Sequence, residues 1–186
     1  ELKAPLNALE GYLRMMQEKQ AGEKIDDYIT HIDRSLQRIQ GMRNLIMDLL
    51  DFTKIRLERK EEKIQEVNLE EVANAAIVTV QPYAIQMDVS INLDVRSEAA
   101  VIMADPDDME IVFNNLISNA VKYNKIGGKA EVTIDSSESE AILIISDTGI
   151  GITKNDTENL FAEFVRIKNE KTRNISGSGL GLSIVK

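Results

Sequence analysis

Three polar or glycine-rich segments have the residue types of a nucleotide site. The first is the run over residues 114–123, in which Asn115 and Asn119 are four residues apart and so project from one face of a helix. Amide oxygens on one helix face can ligate Mg²⁺ or hold its waters, and the ammonium of Lys122 can balance phosphate charge. Taken alone, this run is also compatible with an exposed polar helix face.

The second segment begins at Asp147, which follows an apolar stretch and precedes Gly149 and Gly151. A carboxylate at the end of a strand can accept a hydrogen bond from an exocyclic amine. Such a contact would select adenine over guanine, because guanine has a carbonyl at the matching position. Asp-Thr-Gly also makes good turns, so a simple turn stays open as the alternative.

The third segment contains Gly177, Gly179 and Gly181, just before an apolar stretch. Glycine has no Cβ, so backbone N–H groups at the start of the next helix can approach phosphates. The sequence has no P-loop pattern, so phosphates must be held in another way. A single glycine loop indicates little, whereas the three segments in this order predict a nucleotide pocket.

These segments resemble the ATP-binding domain of sensor histidine kinases, a branch of the superfamily that includes topoisomerase and mismatch-repair ATPases. The asparagine run is similar to the N box, which implies Asn119 as the Mg²⁺ ligand with Asn115 beside it. The other two segments match the G1 and G2 boxes. The resemblance implies that ATP and Mg²⁺ are bound by Asn115, Asn119, Lys122, Tyr123, Asp147, Gly149, Gly151, Ile152, Gly177, Gly179, Leu180 and Gly181.

Residues 160–166 are similar to the F box of the same family. This resemblance implies that Arg166 reaches the γ-phosphate and stabilises charge as the phosphoryl group transfers. Phe161 and Phe164 are equally well explained as core anchors. The polar composition of residues 167–176 is typical of a lid over ATP.

The first six residues, Glu-Leu-Lys-Ala-Pro-Leu, resemble those that follow the phosphorylated histidine in the H box of the HisKA-type family. The histidine would directly precede Glu1, whose carboxylate could accept the proton of one ring nitrogen and make the other a better nucleophile. Family members often have Thr or Asn where this chain has Ala4, so phosphatase activity by that route is not expected. His31, the only histidine present, is expected on a helix surface and not as the phosphoacceptor.

The N-terminal third has apolar residues at spacings of four and three, in two runs separated by a turn around residues 21–22. This pattern predicts a helical hairpin over residues 1–62. Its own core is small, so dimerisation into a four-helix bundle would cover the apolar seam, with a helical linker as the alternative. The seam consists of Leu2, Leu6, Leu9, Leu13, Met16, Ile25, Ile29, Ile32, Leu36, Ile39, Ile46, Leu50 and Thr53.

From residue 63 onward the pattern is that of a mixed domain. Residues 69–86 are predicted as a helix, and Asp105 is predicted to cap a second helix, with Pro106 at its first position. We expect an α+β chain: a hairpin, then an α/β-sandwich over residues 63–186, C-terminally incomplete, with helices on one face of a mostly antiparallel sheet. Strands are predicted at residues 89–95, 101–103, 130–135 and 141–146.

Composition excludes several functional classes. A net charge of −9 argues against a nucleic-acid-binding protein, which needs a basic face. The chain has no cysteine, which excludes disulfides and thiol chemistry within it. No apolar run approaches the roughly 20 residues of a membrane span. We therefore expect a cytoplasmic segment, to which a membrane anchor could be attached elsewhere.

The sequence thus predicts an enzyme, the catalytic core of a sensor histidine kinase. It would dimerise through residues 1–62 and transfer the ATP γ-phosphoryl group to a histidine, then to an aspartate of a response-regulator receiver domain. An ATPase or a serine kinase of the anti-sigma-factor kind would share the ATP pocket but lacks such a hairpin. A non-catalytic dimeric scaffold is the other alternative, and the intact N and G1 boxes argue against it.

Overall fold

The chain divides into two compact units, one formed mainly by residues up to 50 and the other mainly by residues from 51 onward. The computed structural model describes residues 3–57, 63–97, 100–137, 139–163, 165–167, 172, 175, 177 and 179–185. Within these ranges no helix combines the length and apolarity that crossing a bilayer requires. The boundary expected at residue 62 stays a prediction, since residues 58–62 lie outside the described part.

The first unit is a helical hairpin, as the seam predicted. Helix α1 (Lys3–Gln17) leads through a turn and a 3₁₀-helix (Ile25–Tyr28) into helix α2 (Ile29–Leu57). The Tyr28 hydroxyl fastens the turn, because it donates to the Gly22 carbonyl (2.6 Å) and accepts from the amides of residues 21 and 22 (3.2 Å each). The turn around residues 21–22 is therefore confirmed.

His31 is less exposed than the helix-surface position expected for it. Its ring is half-buried, with its centroid 5.7 Å from the ring of Tyr12 on α1 and 6.5 Å from the ring of Tyr28. Its Nδ1 atom is buried and has no hydrogen-bond partner among the described residues. The cause is tertiary: an aromatic residue of the neighbouring helix covers a position that helical periodicity alone leaves open.

The elements of the second unit are β1 (Gln65–Asn68), α3 (Leu69–Gln86), β2 (Ser90–Val95), β3 (Val101–Ala104), α4 (Pro106–Lys122), β4 (Lys129–Ser136), β5 (Ala141–Asp147), α5 (Lys154–Thr157) and α6 (Gly181–Val185). Its described strands form two small sheets. One has the order β2-β4-β5, with β2 parallel and β5 antiparallel to β4. The other is the antiparallel pair of β1 and β3.

The α+β class is confirmed, and two of the three strand pairings in the described part are antiparallel. The strands expected at residues 89–95, 101–103, 130–135 and 141–146 correspond to β2, β3, β4 and β5 within one or two residues. Strand β1 was not predicted, because its sequence Gln-Glu-Val-Asn has one apolar residue and no alternating pattern.

The core of this unit lies between helices α3 and α4 and the β2-β4-β5 sheet. Helix α4 contributes Phe113, Ile117 and Val121, which recur every four residues and are almost fully buried. Strand β4 contributes alternate residues from Ala130 to Ile134. Burial of each large side chain contributes roughly 1.5–3 kcal/mol. Because this face of α4 is fixed against the sheet, its opposite face is the one that can serve a ligand.

Asp105 caps helix α4 as predicted. Its side chain accepts a hydrogen bond from the Asp107 amide (2.9 Å), and Pro106 begins the helix. Asp107 and Asp108 lie in the first turn, where their negative charges interact favourably with the positive end of the helix dipole and stabilise the helix. The helix that carries the asparagine run is thus fixed at its start by local sequence.

Replacing Asp105 with alanine is expected to lower the free energy of unfolding by about 1 kcal/mol, because the amide of Asp107 loses its acceptor. Urea unfolding followed by circular dichroism measures this change. The matched control is Glu110→Ala, an exposed acidic residue on the same helix, with an expected change within about 0.5 kcal/mol. Equal losses in both variants would contradict the capping role.

Candidate nucleotide-binding site

Helix α4 presents two asparagines on the face opposite the core. The Asn115 amide group donates to the carbonyl of Ile111 (2.9 Å), which fixes its orientation, and its Oδ1 atom faces Gly181 at the start of α6. Asn119 is half-buried, and no described residue hydrogen-bonds its carboxamide. A half-buried amide without a protein partner is suited to a polar ligand.

Gly181, the last glycine of the third segment, packs against this asparagine face. A Cβ built on Gly181, the first residue of α6, would overlap the Asn115 Oδ1 atom. Glycine is therefore needed here for close approach and not for an unusual backbone angle. The N terminus of α6 and the asparagine run, which are far apart in sequence, are brought together as predicted.

The segment that begins at Asp147 packs against the other end of α4. The Ile150 amide donates to the carbonyl of Tyr123 (3.0 Å), and the Gly149 amide donates to the Asp147 carboxylate (2.8 Å). A Cβ on Gly149 would overlap the Tyr123 carbonyl oxygen and lie 2.9 Å from the Asn124 Cα atom. Only glycine allows this approach, so the Asp147 loop is fixed against the helix.

Lys122 and Tyr123 lie at the end of α4 and are both half-buried. The Lys122 ammonium is 5.7 Å from the centroid of the Tyr123 ring, within the range of a cation–π contact. The ring thus limits where this positive charge can lie. Its role in balancing phosphate charge stays a prediction.

Four other residues assigned to the nucleotide have distinct environments. Gly151 and Ile152 are exposed, and Gly151 has a φ of +67°, which favours glycine. Gly179 has a φ of +80° and precedes Leu180, whose side chain is fully buried. Any contact of Leu180 with a nucleotide therefore comes from its backbone.

Asn124 is a residue of this site that sequence reasoning missed. It is 6% exposed, and its carboxamide bonds the end of α4, the start of β4 and Thr148 in the Asp147 loop. Its position directly after the predicted run was the available signal, because asparagine is common where helices end. Its role was not visible, since its partners come from three elements.

Arg166 is half-buried, and its guanidinium donates to the carbonyl of Ile175. Nearby, the hydroxyl of the buried Thr172 donates to the carbonyl of Ile167 (2.6 Å). These bonds link the two ends of the polar stretch that follows Arg166. Contact of Arg166 with a γ-phosphate stays a prediction, and the guanidinium has further donors for it.

Glu1 and Phe164 lie outside the described residues. Gly177 is half-buried, while residues 176 and 178 on either side of it are outside the described part. Phe161 is 46% exposed, so the alternative that it anchors the core is wrong.

Two family models match the chain. Residues 1–58 match the His Kinase A (phospho-acceptor) domain, and residues 104–186 match the histidine kinase-, DNA gyrase B- and HSP90-like ATPase. Together the two matches cover most of the sequence, in the order that the N-terminal hairpin and the asparagine and glycine segments indicated. The chain belongs to the sensor histidine kinases and is the catalytic core of such a protein.

Individual relatives agree with this assignment. The cell-division control histidine kinase PdhS of Brucella anthropi is 30% identical over the whole chain, which spans 19% of the length of PdhS. The structure of the Acinetobacter baumannii histidine kinase AdeS aligns with all of this chain over 83% of the AdeS chain, with a TM-score of 0.73 at 22% identity. The histidine kinase ThkA, solved in complex with the response regulator protein TrrA, covers 89% of this chain and 48% of its own, with a TM-score of 0.68 at 23% identity.

The residues present fit Mg²⁺ and a nucleotide. The amide of Asn119 has no hydrogen-bond partner among the described residues, and the Oδ1 atom of Asn115 faces the N terminus of α6, where Gly181 packs closely on it. Oxygen ligands of this kind are those that Mg²⁺ prefers, and it commonly takes few of them from protein while phosphate oxygens supply others. The amide oxygens of these two residues are therefore of a type that fits Mg²⁺.

Proposed function

We propose that residues 63–186 bind Mg·ATP on the outer face of α4 and donate its γ-phosphoryl group to a histidine directly before Glu1. The phosphoryl group then passes to an aspartate of a receiver domain. The observation that carries this proposal is the convergence of two glycine segments on the helix that contains the asparagine run. Gly181 packs on Asn115, Gly149 packs on Tyr123, and Asn119 between them has an unpartnered amide.

The residues of the site have separate roles in this proposal. Asn119 and Asn115 hold Mg²⁺, which supplies neutralisation of phosphate charge when it is bound. Asp147 accepts a hydrogen bond from the exocyclic amine of adenine. The hydrogen bond that the Gly149 amide donates to the Asp147 carboxylate fixes that carboxylate for this contact. Lys122 adds a positive charge beside the phosphates. Binding and orientation therefore come from the helix and the loop that packs on it.

Catalysis rests on positioning and charge stabilisation, as in phosphoryl transfer generally. Arg166 stabilises the charge on the transferring group in this proposal, and Glu1 orients the imidazole of the acceptor histidine. Ala4 is exposed in the first turn of α1 and has no hydrogen-bonding side chain. We therefore propose a kinase without phosphatase activity through that position.

Labelling with γ-³²P-ATP tests this function in a chain extended to include the residue before Glu1. We expect a label that is stable in base, lost in acid and absent when that residue is replaced by alanine. Hydrolysis of ATP without such a label would instead indicate an ATPase. An acid-stable label would indicate transfer to a hydroxyl, as in a serine kinase.

We further propose that the receiver domain of a response regulator is the partner and that this part of the protein is cytoplasmic, where ATP is available. The similarity to ThkA, which was solved with the response regulator TrrA, supports the partner. Transfer is measured by adding purified receiver domains to the labelled kinase. The cognate domain would remove the label within seconds to minutes, and its aspartate-to-alanine variant would not.

We propose that the hairpin dimerises through its seam. Leu13 is 54% exposed and Leu36 is 59% exposed in the single chain, and further seam residues are exposed with them. Contiguous apolar surface of this kind marks an interaction site. A second copy of the hairpin presents the same seam, so two copies can cover each other in a four-helix bundle.

Leu36→Glu is expected to shift the chain from dimer to monomer in light scattering at micromolar concentration, because it places a charge in the apolar seam. The matched control is Gln37→Glu, which adds the same charge at an exposed position one residue on. That variant should stay dimeric. A dimer in both variants, or a monomeric unsubstituted chain, would contradict the proposed interface.

A further inference from the structure

We propose that Asn124 is a positioning residue that sets the preference of the site for adenine over guanine. It acts through Thr148 on Asp147, which the proposed function assigns to the base. This inference rests on that proposed function. Asn124 lies outside the asparagine and glycine segments, and in this role its side chain acts without touching the nucleotide.

The Asn124 carboxamide is held at every polar atom. Its Nδ2 group donates to the carbonyls of Ala120 and Lys129 (2.9 Å each). Its Oδ1 atom accepts from the amide of Lys125 (3.0 Å) and the hydroxyl of Thr148 (3.1 Å). With four bonds and 6% exposure, the side chain has one available orientation.

The surroundings leave room for this amide and for no larger group. A Cβ on Gly128 would overlap the Asn124 Oδ1 atom and lie 2.8 Å from the Lys125 carbonyl oxygen. Gly128 itself is buried, and its amide donates to the Lys125 carbonyl (3.0 Å). The turn between α4 and β4 is therefore built around the Asn124 side chain.

Thr148 transmits this order to the base-binding loop. Its hydroxyl accepts from the Lys129 amide (2.9 Å) while donating to Asn124, and its own amide donates to the Lys129 carbonyl (3.1 Å). Thr148 is the neighbour of Asp147, whose carboxylate accepts from the Gly149 amide (2.8 Å). The position of that carboxylate thus depends on a chain of bonds that starts at the end of α4.

Discrimination between the two bases depends on that position. Adenine offers an amine to Asp147, whereas guanine offers a carbonyl that repels it. A site built to bond one group rejects its analogue strongly only while the protein group is held in place. Loss of the Asn124 amide would remove one of the hydrogen bonds that hold the Thr148 hydroxyl, and the Asp147 carboxylate beside it would be held less firmly at the base. The affinity for ATP should then fall, and the free-energy penalty for binding GTP should become smaller.

Calorimetric titration of the 186-residue chain with Mg·ATP and with Mg·GTP tests this inference. We expect Asn124→Ala and Thr148→Val each to lower the ATP-to-GTP affinity ratio by about tenfold, the scale of one lost hydrogen bond. The double variant should lower it no further, because both changes break the same link. Thr148→Ser keeps the hydroxyl and should keep the ratio.

Asn74→Ala is the matched control for loss of an asparagine. Its amide also donates to the carbonyl four residues earlier (3.0 Å), but on the exposed face of α3. The ratio should be unchanged. A thermal melt of each variant identifies loss of folding. The affinity ratio separates positioning from a merely structural role, because a structural role would lower the affinities for ATP and GTP equally.

The outcomes are distinct. An unsubstituted chain that binds neither nucleotide would overturn the proposed function and this inference with it. A chain that prefers ATP, and whose ratio is the same in Asn124→Ala and Thr148→Val, would overturn this inference alone. The link through Thr148 would be contradicted if the fold-decrease of the ATP-to-GTP affinity ratio in the double variant equalled the product of the fold-decreases in the two single variants.

Discussion

Asn119→Ala is expected to lower the rate of phosphoryl transfer from ATP by about 100-fold or more. Removal of one group that stabilises charge in the transition state typically causes a rate loss of this size. The reason is that Asn119 is the amide on the ligand face of α4 that no described residue hydrogen-bonds. Initial rates of histidine labelling in a chain that includes the acceptor measure this loss.

Asn114→Ala is the matched control for Asn119. It removes the same carboxamide from the same helix, but five residues away and therefore on a different face. Its Oδ1 atom is buried without a hydrogen-bond partner among the described residues, so its loss should leave the labelling rate nearly unchanged. Equal losses in the two variants would contradict the assignment of the ligand face. Full activity of Asn119→Ala would contradict its proposed role in holding Mg²⁺.

Gly149→Ala is expected to abolish detectable ATP binding and to lower the free energy of unfolding by about 1–3 kcal/mol. The new methyl group would overlap the Tyr123 carbonyl and approach the Asp147 carboxylate, with 2.7 Å between its carbon and Oδ1. Relief of that overlap must move the Asp147 loop away from α4. Titration with Mg·ATP and urea unfolding measure the two effects.

Gly41→Ala provides the control for a glycine substitution without steric conflict. Apart from the backbone of its own helix and its chain neighbours, no atom of the described residues lies within 4 Å of a Cβ at Gly41 on α2, so the change should stabilise that helix by about 0.5–1 kcal/mol. Its affinity for ATP should equal that of the unsubstituted chain. If Gly149→Ala bound ATP equally well, the packing of its loop on α4 would not matter for the site.

The fold was predictable where local signals agree. Asp105, Pro106 and the recurring apolar positions of α4 determine the start, length and buried face of that helix without tertiary information. The alternating residues of β4 and β5 likewise predict two strands. Strand β1 was missed because it is defined by pairing with β3, more than 30 residues away, and its own residues carry no pattern.

For the site, the sequence predicts which residues share a helix face. The spacing of Asn115 and Asn119 indicates that face, and Gly181 does lie against it. The contacts that fix the site depend on tertiary structure. Examples are the Tyr123 carbonyl that Gly149 approaches and the bond from Arg166 to the Ile175 carbonyl. Backbone acceptors leave no mark in sequence, so such partners become visible only in the folded chain.

The most direct test of the central claim is a chemical-shift map of the ¹⁵N-labelled 186-residue chain on addition of Mg·ATP. We predict saturable changes at the amides and side-chain amides of the proposed site, with GTP producing smaller changes at the same concentration. The residues expected to change are Asn115, Asn119, Tyr123, Asp147, Gly149, Gly179 and Gly181. No saturable change with ATP, or changes confined to the hairpin, would contradict the account.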